Sequence, residues 1–190
     1  MSKKLSTDSI LWRGIDMPGH DACRLFSAAG QWHLSGAAVF SHNEQPCCLG
    51  YEVVSDQNWK TVRAKVSGWV GNDLVELEFT VGPDLKWRLN GVEKPAVEGC
   101  IDADLNFTPA TNLLPIRRLN LAVNEAAEVK AAWLRFPDFE LEPLSQVYKR
   151  LDESTYHYES GGGSFVSQLK VNAVGFVTDY AGLFQAEAWT

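Results

Sequence analysis

Asp102 and Asp104 are the residues of this sequence best spaced for chemistry. They stand two apart in a stretch that reads as a strand, so they share a face, with Cα atoms about 6–7 Å apart at the usual strand rise. Paired carboxyls are the machinery of glycoside hydrolysis, one protonating the leaving oxygen and the other serving as base or nucleophile. Arg117 and Arg118 follow a short way downstream. A guanidinium forks readily onto a carboxylate. Pairing of Asp102 or Asp104 with Arg117 or Arg118 is therefore the simpler reading, and hydrolysis is its alternative.

Other catalytic signatures are missing. His20, His33, His42 and His157 form no H-x-x-x-H or H-E-x-x-H arrangement. There is no G-x-S-x-G elbow. Gly161-Gly162-Gly163-Ser164 lacks the lysine of a phosphate loop and reads as a turn. Cys23, Cys47, Cys48 and Cys100 include no C-x-x-C pair and no histidine at zinc spacing, so they read as reduced thiols. Adjacent Cys47 and Cys48 would point to opposite faces of a strand. No cofactor is called for. With 17 basic against 24 acidic residues the net charge is −7, and no basic block is available to neutralise successive phosphates. Nucleic acid is a poor partner for such a surface.

The elements that carry these residues are read from period. Val62, Ala64 and Val66 alternate with polar neighbours, as do Val75, Leu77, Phe79 and Val81. Both runs predict half-buried antiparallel strands. Turns are expected at 70–73 and 82–84, and Asn90-Gly91 is the strongest hairpin signal. Further strands are expected over 32–40, 49–54, 101–105, 129–136, 164–171 and 176–180, about ten in all, as in a sandwich or barrel. Residues 143–152 fit either a helix begun at Pro143 or a strand returning through Tyr156-His157-Tyr158, and a hairpin is preferred. A short helical segment is expected over 112–118, with Thr108 as cap, Pro109 just inside, and Pro115 breaking it. No repeat or linker divides residues 1–190, so one domain is expected.

No apolar run approaches the roughly 20 residues of a membrane helix. The opening Met1–Asp8 is basic and lacks an apolar signal core, so a cytoplasmic protein without stable membrane insertion is expected. Seven tryptophans, Trp12, Trp32, Trp59, Trp69, Trp87, Trp133 and Trp189, suggest that several line a cavity.

The run CIDADLNFTPATNLLPIRRL, from Cys100 to Leu119, resembles the core signature of the bacterial putative glycolipid-binding family. QVYKRL (146–151), GFVTDYAGLF (175–184), WKTVR (59–63) and the Trp12 region resemble it as well, so the likeness spans nearly the whole chain. The resemblance implies a mainly β fold: a large curved antiparallel sheet forming an incomplete barrel around a short helical element, similar to lipoprotein carriers. It implies a cavity for an amphiphile and no assigned catalysis. Ala110 stands where the family pattern has an aromatic, which would enlarge a pocket there, and Ala181 where it has a proline.

Physically, Asp102, Asp104, Asn112, Arg117 and Arg118 gather polar groups beside Leu113, Leu114 and Ile116. That is a head-group site next to an apolar wall. Tyr148 and Tyr180, from the two later stretches, complete the expected ligand-binding set. The leading expectation is a non-enzymatic carrier or sensor for an amphiphilic molecule, plausibly a glycolipid. The alternatives are a hydrolase of a small glycosyl or acyl substrate using Asp102 and Asp104, and a protein-interaction module with a hydrophobic groove.

Overall fold

A computed structural model describes Thr7–Thr190, so most of the basic opening segment lies outside the described residues. The strands are β1 (Thr7–Gly14), β2 (Gly19–Ala28), β3 (Gln31–His42), β4 (Gln45–Ser55), β5 (Thr61–Val70), β6 (Asp73–Val81), β7 (Trp87–Leu89) and β8 (Val92–Glu93). Then come β9 (Asp102–Leu105), the helix α1 (Leu113–Leu119), β10 (Ala126–Arg135), β11 (Glu140–Arg150), β12 (Thr155–Ser160), β13 (Phe165–Val171), β14 (Val177–Tyr180) and β15 (Phe184–Trp189). All fifteen strands join one curved sheet in the order β8-β7-β6-β5-β4-β3-β2-β1-β15-β14-β13-β12-β11-β10-β9. Neighbours run antiparallel except β9 and β10, which are parallel.

The period-two reading holds where it was sharpest. On β6, Val75 and Phe79 are buried while Leu74, Glu76, Glu78 and Thr80 face solvent. The β5–β6 turn is Gly71-Asn72, with Gly71 at φ 58°. Asn90 and Gly91 both take positive φ between Leu89 and Val92, the conformation a two-residue hairpin requires. Residues 140–160 form the preferred hairpin, β11 with β12, and no helix.

The sheet edges β8 and β9 follow one another in sequence, so the chain crosses the open side of the barrel between them. Edge strand β9 is tied to the head of β5. Thr61 at the head of β5 donates its N–H to the carbonyl of Ile101 at 3.2 Å, and its hydroxyl accepts from Ala103 N–H at 2.9 Å.

The segment between β9 and β10 holds α1, which buries Leu113, Leu114, Pro115 and Ile116 in the concave core. Thr108 Oγ1 accepts from Ala110 N–H at 3.1 Å, opening a 3-10 turn that runs into α1. Pro115 does not break the helix as expected. It occupies the first helical turn, where a backbone N–H has no intrahelical partner to lose. Ala110 is buried in the core and lines neither cavity described below, so it enlarges neither. No helix among the described residues is long and apolar enough to cross a membrane.

The tryptophans disperse, contrary to expectation. Trp12 and Trp87 are solid core, their indole N–H groups donating to the carbonyls of Val177 and Cys100. Trp32 stacks on Trp59 with centroids 4.6 Å apart, while Trp69 and Trp189 face solvent. Trp59 and Trp133 line the two cavities described below, one in each, and Trp189 lines an open groove with Ile10, Leu11 and Ala188.

Candidate functional site

Under one end of the sheet lies a cavity of about 430 Å³, within the range of small-molecule sites. Its walls come from β9, β10, β11, β12 and β14, the first residues of β13 and β15 with the segments before them, and the segment between β9 and α1. Register explains the membership. The parallel β9–β10 ladder sets Trp133 opposite Asp104. The β11–β12 ladder sets Tyr148 opposite Tyr158 and Gln146 opposite Ser160.

Asp104 is the carboxylate of this cavity. Gln146 Nε2 donates to its Oδ2 at 2.6 Å, and Oδ1 has no hydrogen-bond partner among the described residues. Burial pushes the Asp104 carboxyl up to about 6, against the pull of the Gln146 bond and with help from the charge of Asp102. Asn112 also lines the cavity. Its Oδ1 accepts from Tyr148 at 2.9 Å and its amide nitrogen donates to the Pro109 carbonyl at 3.2 Å. Tyr180 lines the opposite side, in edge-to-face contact with Tyr158 at 5.9 Å and Phe165 at 6.2 Å. Tyr148 is fully buried behind Asn112 and does not itself line the cavity.

Asp102 and the arginines part company with the expected cluster. Arg118 forks onto Asp102, with Nε 3.2 Å from Oδ1 and a terminal nitrogen on Oδ2, and the pair is buried. Burial raises the Asp102 carboxyl even against Arg118. Arg117 instead lies over the Trp59 ring, 4.9 Å from its centroid, and lines a second cavity of about 390 Å³ with Ile116 and Arg150. The expected apolar wall is displaced too. Leu113 and Leu114 are core, and the wall consists of Trp133, Leu144, Leu183 and Phe184. The cause is helical geometry: consecutive residues of α1 point about 100° apart, so adjacent arginines serve different neighbours.

A second polar cluster went unread in the sequence. Asp21 on β2 is buried, and Tyr51 Oη donates to both of its oxygens at 3.0 Å. Thr108 Oγ1 donates to Asp21 as well and stands at the cavity wall. Burial pushes Asp21 up to about 6, despite the Thr108 and Tyr51 bonds that favour its charge. Tyr51 crosses its register partner Gly36, where a Cβ would lie 2.4 Å from the phenol oxygen. Only glycine leaves room for that ring.

No second free carboxylate joins Asp104, because Asp102 is occupied by Arg118. The four cysteines are free thiols, and no group of three His, Cys, Asp or Glu side chains able to hold a metal occurs among the described residues. The arrangement suits non-covalent recognition: one carboxylate and several amides and hydroxyls share the wall with aromatic and aliphatic surface.

Comparison with known proteins is consistent with this geometry. The family model described as "Putative glycolipid-binding" matches residues 9–186. A crystal structure of a DUF1089 family protein from Pseudomonas aeruginosa is 33% identical over 87% of this chain and 91% of that one, with a TM-score of 0.75. A β-barrel-like protein of domain family DUF1849 from Brucella abortus shares 9% identity over 96% of both chains, with a TM-score of 0.58, a likeness of fold alone. No curated protein matches the chain.

Proposed function

The chain belongs to the putative glycolipid-binding family, and on that premise we propose that it is a non-enzymatic carrier or sensor for an amphiphile of the glycolipid class. One observation carries the proposal. The 430 Å³ cavity sets Asp104, Asn112 and Ser160 beside Trp133, Leu144 and Phe184, which offers an amphiphile polar and apolar surface in one cavity. Each methylene withdrawn from water contributes about 0.8 kcal/mol, so an eight-carbon chain gains about 6 kcal/mol before ordering costs.

The hydrolase alternative is disfavoured by the same geometry. Glycoside hydrolysis needs two carboxyls flanking one bond. Here Asp102 is forked by Arg118 and only Asp104 faces the cavity. Native mass spectrometry of protein purified from its own host tests the proposal. A co-purifying lipid bearing a sugar supports it. Protein that is empty, and that also takes up no alkyl glycoside when one is added, overturns it.

A further inference from the structure

The charge lining this cavity is one-sided. Among the described residues Asp104 is the sole ionisable acid or base along its wall apart from phenols, and no lysine or arginine among them lines it. The two cations of α1 are committed elsewhere, Arg118 to Asp102 and Arg117 to the face of Trp59. We infer that the cavity selects an uncharged polyhydroxyl head group and rejects anionic ones, with Asp104 as the residue that decides. The inference rests on reading the cavity as the amphiphile site.

Three features carry it. Asp104 Oδ2 is held by Gln146, so the carboxylate has a fixed direction and its unpartnered Oδ1 is left for a ligand. A hydroxyl donating to a carboxylate makes a charge-assisted bond, stronger than one between neutral groups. Second, Asn106 also lines the cavity, and its Oδ1 accepts from Phe136 N–H at 3.1 Å, which leaves the amide N–H₂ free to donate. A sugar hydroxyl both donates and accepts and satisfies both groups; a phosphate or sulfate can only accept here and would meet Asp104 with no cation between them. Third, Trp133, Tyr158 and Tyr180 supply aromatic side chains to the wall, a surface that suits the C–H face of a sugar ring.

A quaternary ammonium would also be drawn to a carboxylate among aromatic rings. It has no use for the hydrogen-bonding groups of Asn106, Ser160 and Ser164 in the same cavity, and covering them without partners costs affinity. The polyol satisfies the whole set.

Three amphiphiles with one ten-carbon chain test this: decyl glucoside, decyl phosphate and decyltrimethylammonium. Each is titrated calorimetrically below its micelle concentration at pH 8, against wild type and Asp104→Asn. The glucoside is expected to bind wild type at least about tenfold more tightly than the phosphate, given the repulsion of two nearby unit charges. In Asp104→Asn that gap is expected to close, by weaker glucoside binding and stronger phosphate binding. Equal wild-type affinity for glucoside and phosphate, or tightest binding of the ammonium, overturns the selectivity and leaves the amphiphile site standing. Binding of none of the three overturns the site itself. The wild-type ranking decides even if the variant does not fold.

Discussion

Arg118 grips both carboxylate oxygens of Asp102 across sixteen residues of chain, joining α1 to the edge strand β9. Side-chain exposures of 14% for Arg118 and 2% for Asp102 place the pair inside the protein, where each charge depends on the other. Losing one partner strands the other, which typically costs about 3–5 kcal/mol. Asp102→Asn and Arg118→Met are therefore each expected to lower the urea midpoint strongly. The double change Asp102→Leu with Arg118→Met is expected to recover most of the loss, because burial already holds the Asp102 carboxyl above its ordinary value despite the arginine. Amphiphile affinity in Asp102→Asn should stay near wild type in whatever fraction folds. Normal stability with loss of a glycosidase activity would point back to the carboxylate pair as catalytic.

How far the sequence revealed this depends on what faces inward. The β5–β6 hairpin was plain because Val75, Leu77 and Phe79 alternate with solvated residues, and Asn90-Gly91 announced the β7–β8 turn. Strand β2 was missed because its inward face begins with a charge: Asp21 precedes Cys23 and Leu25, and its partners Tyr51 and Thr108 are 30 and 87 residues away. No local pattern encodes such a cluster. Strand β15 buries only Phe184, so its period is faint. Of the residues expected together, Asp104, Asn112 and Tyr180 do line one cavity, whereas Arg117 lines another, since its direction depends on the rotation of a seven-residue helix. Trp133 enters the site only through the parallel register of β9 and β10, a pairing between segments that are not sequence neighbours.

Asp21 and Asp104 give the protein an acid-shifted stability profile. Both carboxyls are pushed up to about 6 from 3.8. The native state thus holds protons that the unfolded chain has released between about pH 4 and 6, and stability falls as pH rises through that window. The groups facing them do not reverse the sign. Asp21 meets Cys23, Tyr51 and Thr108, and Asp104 meets Asp102 with its arginine, Gln146, and the phenols of Tyr148, Tyr158 and Tyr180, all of which burial pushes upward and keeps neutral. Exposed Asp138 and Asp152, held below the usual value, act in the opposite sense only at pH below about 4. Unfolding free energy is expected to be larger at pH 5 than at pH 7.5, by about 1.4 kcal/mol per group. Asp21→Asn and Asp104→Asn should each flatten the profile. Stability that climbs steadily from pH 5 to 7.5 would contradict the burial assigned to both.

Trp133 is the indole expected to report ligand entry. It faces the cavity opposite Asp104, whereas Trp12 and Trp87 are sealed in core with their N–H groups bonded, and Trp69 and Trp189 already face water. Decyl glucoside entering the cavity replaces solvent around Trp133 and leaves those four unchanged. Wild-type emission is therefore expected to shift saturably with the glycoside, and Trp133→Phe to lose the shift. The melting temperature should still rise in Trp133→Phe, since any ligand bound only by the native state stabilises it by mass action. Trp69→Phe and Trp189→Phe serve as controls that keep the shift. The informative contrast is with Trp59, which lines the second cavity under Arg117. If Trp133→Phe responds as wild type does and Trp59→Phe does not, the amphiphile enters beside Arg117, and the head-group role assigned to Asp104 falls with it.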